Sequence, residues 1–162
     1  MSSNSDRRGE PSRSDRSGED DATRATRRIV GRYLERLTGG AAPAELAEMF
    51  SEDVDWFIAG DTERAPWVGR RRGRAGVVEF FTLFARGVQP LRLDLEEPLV
   101  SGERAVVLGA FDSLLTASGR VVSSEGAIVM HVRDGRIVRY RILEDSFAVS
   151  QTSRGDAGSS PG

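Results

Sequence analysis

The chain has 162 residues, 38% hydrophobic and 30% charged, with a formal net charge of −2. That length fits one domain, and the near balance of charge lacks the basic footprint that nucleic-acid binding leaves. The absence of cysteine excludes disulfides, thiol catalysis and cysteine zinc sites, and one histidine leaves little for a histidine-based metal site.

Residues 1–21 are mostly Ser, Arg, Asp, Glu and Gly with no aliphatic or aromatic residue after Met1, and 151–162 are again rich in Ser and Gly. Neither stretch can bury enough surface to offset its ordering entropy, so both are expected to be disordered tails around a folded unit of residues 22–150. No apolar run approaches the roughly 20 residues of a bilayer crossing, and the first residues lack the apolar core of a secretory signal. The expected setting is therefore cytoplasmic.

From Ala25 to Leu37, the residues Ile29, Val30, Tyr33, Leu34 and Leu37 fall at helical spacing, with Thr23 as a cap and Gly39-Gly40 as a stop. A short second helix begins at Pro43 and turns Leu46, Met49 and Phe50 to one face. Val54–Ile58 reads as a strand, Asp61–Gly73 as a long loop, and Arg74–Arg86 as a third helix with Val77, Phe80, Phe81 and Phe84 inward. Strand-like runs follow at Leu91–Val100, Arg104–Thr116, Arg120–Val132 and Arg136–Leu143. They are punctuated by Ser101-Gly102, Ser118-Gly119 and Asp134-Gly135. Helices first and an antiparallel meander last indicate an α+β fold, with helices on one face of a curved sheet and a pocket at the open end.

The order helix–helix–strand–helix–meander resembles the nuclear-transport-factor-2-like (NTF2-like) superfamily. It is most similar to the SnoaL-like and ketosteroid-isomerase-like members. Phe50-Ser-Glu-Asp53-Val-Asp-Trp56, Pro66-Trp-Val-Gly69, Gly73-Arg-Ala-Gly-Val-Val-Glu-Phe-Phe81 and Val132-Arg-Asp-Gly135-Arg-Ile-Val138 carry the likeness over nearly all of residues 25–150. The resemblance implies a cone of three N-terminal helices on a curved antiparallel sheet. Known members include isomerases, polyketide cyclases, epoxide hydrolases, dehydratases and proteins without catalysis, so fold does not settle function. In the steroid isomerase, an aspartate on the first strand moves the proton, while a helix tyrosine and a protonated aspartate steady the enolate. The tyrosine matches Tyr33, but the base falls on Ile58 and the second donor near Ile128, which speaks against that mechanism.

Three residues are candidates for chemistry, each beside a structural alternative. Glu144, next to Asp145 at the last strand's end, shares parity with Tyr140 and Ile142; SnoaL-like cyclases imply a carboxylate in this region, and an apolar mouth would raise its pKa into a useful range. The alternative is a strand-end carboxylate pairing an arginine. Asp61 could reach back over the mouth, or be a turn carboxylate. Tyr33 could donate to a substrate carbonyl, as the resemblance implies, or sit in the core. Trp56, Ile58, Trp67, Phe84, Phe111, Ile128 and Tyr140 are the expected pocket lining; Trp56 reads equally as core, and Trp67 equally as lid or loop anchor.

With Ser118-Gly119 as the turn, Asp112 should lie opposite Glu125. Both, with His131, should occupy the face away from Phe111 and Ile128. Leu108, Leu114 and Val129 share that outer face, so a homodimer is expected through it. Arg70, Arg71, Arg72 and Arg74 could meet an anion, but read better as a loop pairing with Glu63 and Glu79. The function expected is a small-molecule pocket protein: an acid–base isomerase, cyclase or dehydratase on an apolar carbonyl compound, without cofactor or metal. The alternative is a non-catalytic binding or dimeric interaction protein.

Overall fold

The computed structural model describes the backbone of residues 14–144 and the side chains of residues 21–144. Asp145 and the C-terminal tail lie outside these residues, as do residues 1–13. The elements run α1 (Ser14–Thr38), α2 (Pro43–Ala47), β1 (Phe50–Ile58), β2 (Gly69–Arg72), α3 (Gly73–Gly87), β3 (Val88–Leu95), β4 (Leu99–Ser101), β5 (Arg104–Leu115), β6 (Arg120–Arg133) and β7 (Arg136–Glu144).

Helix α1 begins upstream of the expected Ala25, inside the segment read as a tail. Its early turns carry no apolar stripe, so periodicity could not mark them. Thr23 is consequently not a cap; it lies within the helix, and its hydroxyl accepts the Gly102 N–H at 2.9 Å. The helix does end at Gly39-Gly40: Gly39 N–H donates to Glu35 O, Ala41 N–H to Arg36 O, and Gly40 takes φ +73°.

The strands form one sheet in the order β2-β1-β7-β6-β5-β3, with β4 also pairing β5. The meander β5-β6-β7 is antiparallel, but β1 joins β7 in parallel, so the sheet is mixed rather than wholly antiparallel. The expected Asp61–Gly73 loop contains strand β2, a charged edge strand on β1. The expected Leu91–Val100 strand is two strands, parted at Glu96-Glu97-Pro98. Asp134-Gly135 makes a two-residue hairpin with both residues at positive φ, as a type I′ turn requires. The β5–β6 turn has four residues, not two: Leu115 pairs with Arg120. Asp112 therefore faces Ser123, and Glu125 faces Ala110. A shift of two keeps Asp112, Glu125 and His131 on the outer face.

Helices α1, α2 and α3 cover the inner face. Between them and the sheet, Tyr33, Phe50, Trp56 and Tyr140 pack edge to face or stacked, with centroids 4.1–5.7 Å apart. This cluster closes one end of the space between the layers and leaves the other open.

Candidate functional site

A cavity of about 490 Å³ opens between the end of α1, helix α3, the segment before β2 and the inner face of the sheet. That volume suits a small organic molecule. Six aromatic side chains form much of its wall: Trp67, Phe80, Phe81, Phe84, Phe111 and Tyr140. Ile58, Ile128 and Ile142 add an aliphatic floor. Ile58 and Ile128, which the resemblance set against the isomerase's base and second donor, are thus both on the wall.

Trp67 is held in place by two features outside the cavity. The Arg71 guanidinium, nearly buried, donates to the carbonyls of Pro66 (2.7 Å), Trp67 (2.7 Å) and Val68 (2.9 Å) and pairs with Glu79 at 3.2 Å. Gly87 supplies the space: a Cβ there would lie 2.3 Å from the Trp67 ring. The indole meets Phe84 edge-on at 6.2 Å. Arg71 was expected only within a loop cluster pairing with Glu63 and Glu79; the Glu79 pairing is present, and β2 turns Arg71 opposite to Arg70 and Arg72.

Polar groups on the wall are few. Glu144 lies beyond Ile142 and Tyr140 on the same face of β7, half-buried and without a hydrogen-bond or ion-pair partner among the described residues. Burial pushes its pKa up from the ordinary carboxylate value. Gly126 lets the strand end sit close, since a Cβ there would lie 2.4 Å from the Leu143 carbonyl oxygen. Arg92 reaches the rim, but its guanidinium is engaged by Asp112 at 2.7 Å and Asp94 at 2.9 Å. Thr38 donates its hydroxyl back to Leu34 O, and Ser113 completes the set. Tyr140 borders the cavity with its hydroxyl 2.9 Å from that of Tyr33.

The remaining expected residues lie elsewhere. Tyr33 is fully buried behind Tyr140 and does not reach the cavity wall. Trp56 is core, stacked on Tyr140 rather than lining the cavity. Asp61 is an exposed turn carboxylate that accepts the Glu63 N–H at 3.0 Å and pairs with Arg64 at 3.4 Å. Of the other clustered arginines, Arg70 pairs with Asp55 and Arg74 donates to the Phe50 carbonyl, so these two are engaged within the fold. Burial, reinforced by Arg104 and Arg139, depresses the pKa of His131. No three His, Asp or Glu side chains among the described residues are gathered as a metal site would need.

A family model described as a SnoaL-like domain matches residues 30–140, most of the chain and all the elements that build the cavity except the end of β7. The chain belongs to the SnoaL-like domain family. Solved structures agree on the fold. An NTF2-like protein from Burkholderia xenovorans LB400 superposes with a TM-score of 0.72 at 21% identity, covering 82% of this chain and 98% of that one. A candidate isomerase from Rhodopseudomonas palustris gives 0.64 at 23% identity, covering 75% and 95%. A candidate SnoaL-like polyketide cyclase from Mesorhizobium loti gives 0.61 at 20% identity, covering 72% and 96%. Among curated proteins there is no significant match. Within this SnoaL-like domain, no helix of the described residues is long and apolar enough to cross a membrane.

Proposed function

We propose that this SnoaL-like domain is an acid–base catalyst for an apolar, carbonyl-bearing small molecule, with Glu144 moving the proton. The observation behind this is a carboxyl without a partner among the described residues on a largely apolar wall, its pKa raised by burial. Such a group takes a proton from carbon beside a carbonyl as carboxylate, and returns it as the acid. Desolvation makes both forms accessible closer to neutral pH. Isomerisation, cyclisation and dehydration all begin with that step, and the relatives described as candidate isomerase and cyclase fit it. Asp61, tied into its turn, is the weaker of the two carboxylates. The chemistry needs no cofactor, since enolisation needs only a base and a donor to the oxygen.

The test is deuterium exchange in heavy water at the carbon beside the carbonyl of an aryl ketone. The wild type should accelerate exchange, and Glu144→Gln should lose about 100-fold or more, the range such groups supply. Equal exchange by both proteins, or none by the wild type with a panel of ketones that bind, would sink the reading. The second outcome would favour a binding protein without chemistry, which Ile58 and Ile128 on the wall also support.

A homodimer through the outer face of the sheet accompanies this proposal. Across five strands the register sets Arg72, Asp55, Arg139, His131 and Arg104 in one row. Leu143, Ala127 and Leu108 form a later, apolar row, with Leu143 and Leu108 exposed. Glu125, Asp94 and Asp112 lie beyond it. Two copies related by a two-fold axis would lay these apolar rows against each other. Sedimentation should give a dimer that Leu108→Asp dissociates; a wild-type monomer at high micromolar concentration would end this proposal.

A further inference from the structure

We propose that the hydroxyl of Tyr140, not that of Tyr33, is the hydrogen-bond donor this cavity offers to a ligand carbonyl, and that Tyr33 is its positioning residue. This deepens the acid–base reading by naming the group that would hold the oxygen.

The two phenols have two hydroxyl protons between them and one hydrogen bond, 2.9 Å long. Tyr33 is fully buried among Phe50 and Tyr140, with no other hydrogen-bond partner among the described residues. A buried phenol keeps its hydroxyl donating, because an unmet donor costs more than the bond gains. Its only acceptor among the described residues is the Tyr140 oxygen. The Tyr140 proton is then left over, and Tyr140 is the member of the pair that borders the cavity. A phenol that accepts one hydrogen bond donates a stronger one, so Tyr33 polarises the group it supports.

Three of the other polar groups on the wall compete poorly for this role, and the Ser113 hydroxyl is the remaining rival. Arg92 is engaged by two carboxylates and the Thr38 hydroxyl by Leu34 O. Glu144 as carboxylate repels a carbonyl oxygen. The Tyr140 ring is held by the Trp56 indole stacked at 4.1 Å and by Phe50 meeting it edge-on at 5.7 Å, so the donor is preorganised. Burial also pushes both phenols' pKa values up, which keeps them protonated as donors.

The experiment compares binding of acetylnaphthalene with that of isopropenylnaphthalene, near-isosteres that differ by a carbonyl oxygen against a methylene. The wild type should prefer the ketone by about 3- to 10-fold, the worth of one net hydrogen bond. The carbonyl stretch of the bound ketone should move to lower wavenumber than in alkane. Tyr140→Phe should abolish both effects and bind the alkene as before. Tyr33→Phe should retain a preference with a smaller spectral shift, which loss of packing alone would not produce. Ser113→Ala removes the rival hydroxyl on the wall and should retain the ketone preference and the spectral shift. A preference that survives in Tyr140→Phe, a preference lost in Ser113→Ala, or no binding of either probe to the wild type would overturn the inference. Because the readout is binding, it persists in Glu144→Gln, so failure of the proton-transfer proposal remains a separate result.

Discussion

The Trp56 indole lies flat against the Tyr140 ring, centroids 4.1 Å apart and planes within 12°. The two residues are register partners across the parallel β1–β7 pair, a contact made between strands more than 80 residues apart in the chain. The stack therefore ties the long-range closure of the sheet to the back of the cavity. Trp56→Leu removes much of that fully buried surface, and large-to-small changes of this kind cost about 2–4 kcal/mol. Chemical denaturation should report a lower midpoint with an unchanged slope. A loss under 1 kcal/mol would mean that the stack contributes little.

The Trp67 wall makes a second prediction. Gly87 is helical and needs no unusual φ; what it provides is room for the indole. Gly87→Ala should raise local helix propensity, yet push Trp67 from its place, because a Cβ at 2.3 Å cannot be accommodated. The expected result is a fold of near-normal stability with weaker binding of a naphthalene probe and altered tryptophan fluorescence. Gly87→Ala combined with Trp67→Phe should recover part of the binding, since the smaller ring leaves space. Wild-type affinity in the single variant would contradict this account of the wall.

Much of the site was legible because its signals are local. Alternation along β7 sets Tyr140, Ile142 and Glu144 on one face, and Asp134-Gly135 and Gly39-Gly40 fix two chain reversals. What could not be read depends on distant partners. No local pattern says that β1 runs parallel to β7, or that Arg70–Arg72 would pair with β1 as a strand. Whether Tyr33 or Tyr140 meets the cavity depends on how α1 lies against β7, which their sequences leave open. Asp61 shows the opposite weakness: its local signature as a turn carboxylate was correct, and its place just after β1 suggested a reach over the mouth that its ties to Glu63 and Arg64 do not favour.

Asp55 should govern acid stability on the outer face. Arg141 at 2.6 Å, Arg70 at 3.0 Å and Arg139 at 3.3 Å surround its carboxylate, and the Arg141 hydrogen bond leads in holding its pKa below the ordinary value. A depressed folded pKa means stability that is present above the unfolded value and lost as pH falls through the folded one. Asp55→Asn should thus be destabilised by about 1 kcal/mol near neutral pH, the scale of partly exposed ion pairs, and match the wild type in acid. Melting temperatures of the two proteins from pH 7 down to pH 2 should converge; parallel curves would assign the carboxylate no role.

Glu144 should show the reverse sign. Burial raises its folded pKa above 4.5, the ordinary value it keeps when unfolded. Between the two values the native chain retains a proton that the unfolded chain has lost. The stabilising contribution is therefore complete below the unfolded value, and it disappears as pH rises through the folded one. Above that, the wild type carries a poorly solvated charge at the cavity wall. Glu144→Gln has a similar shape and does not titrate. Its melting temperature should lie close to the wild type's in acid and exceed it by a few degrees near neutral pH. The gap should open above the unfolded value and level off near the folded pKa of Glu144, so its upper limit reports that pKa without any substrate. A gap that is constant with pH, or one that favours the wild type at neutral pH, would show that the carboxylate is solvated or paired, and would remove the basis for assigning it the proton transfer.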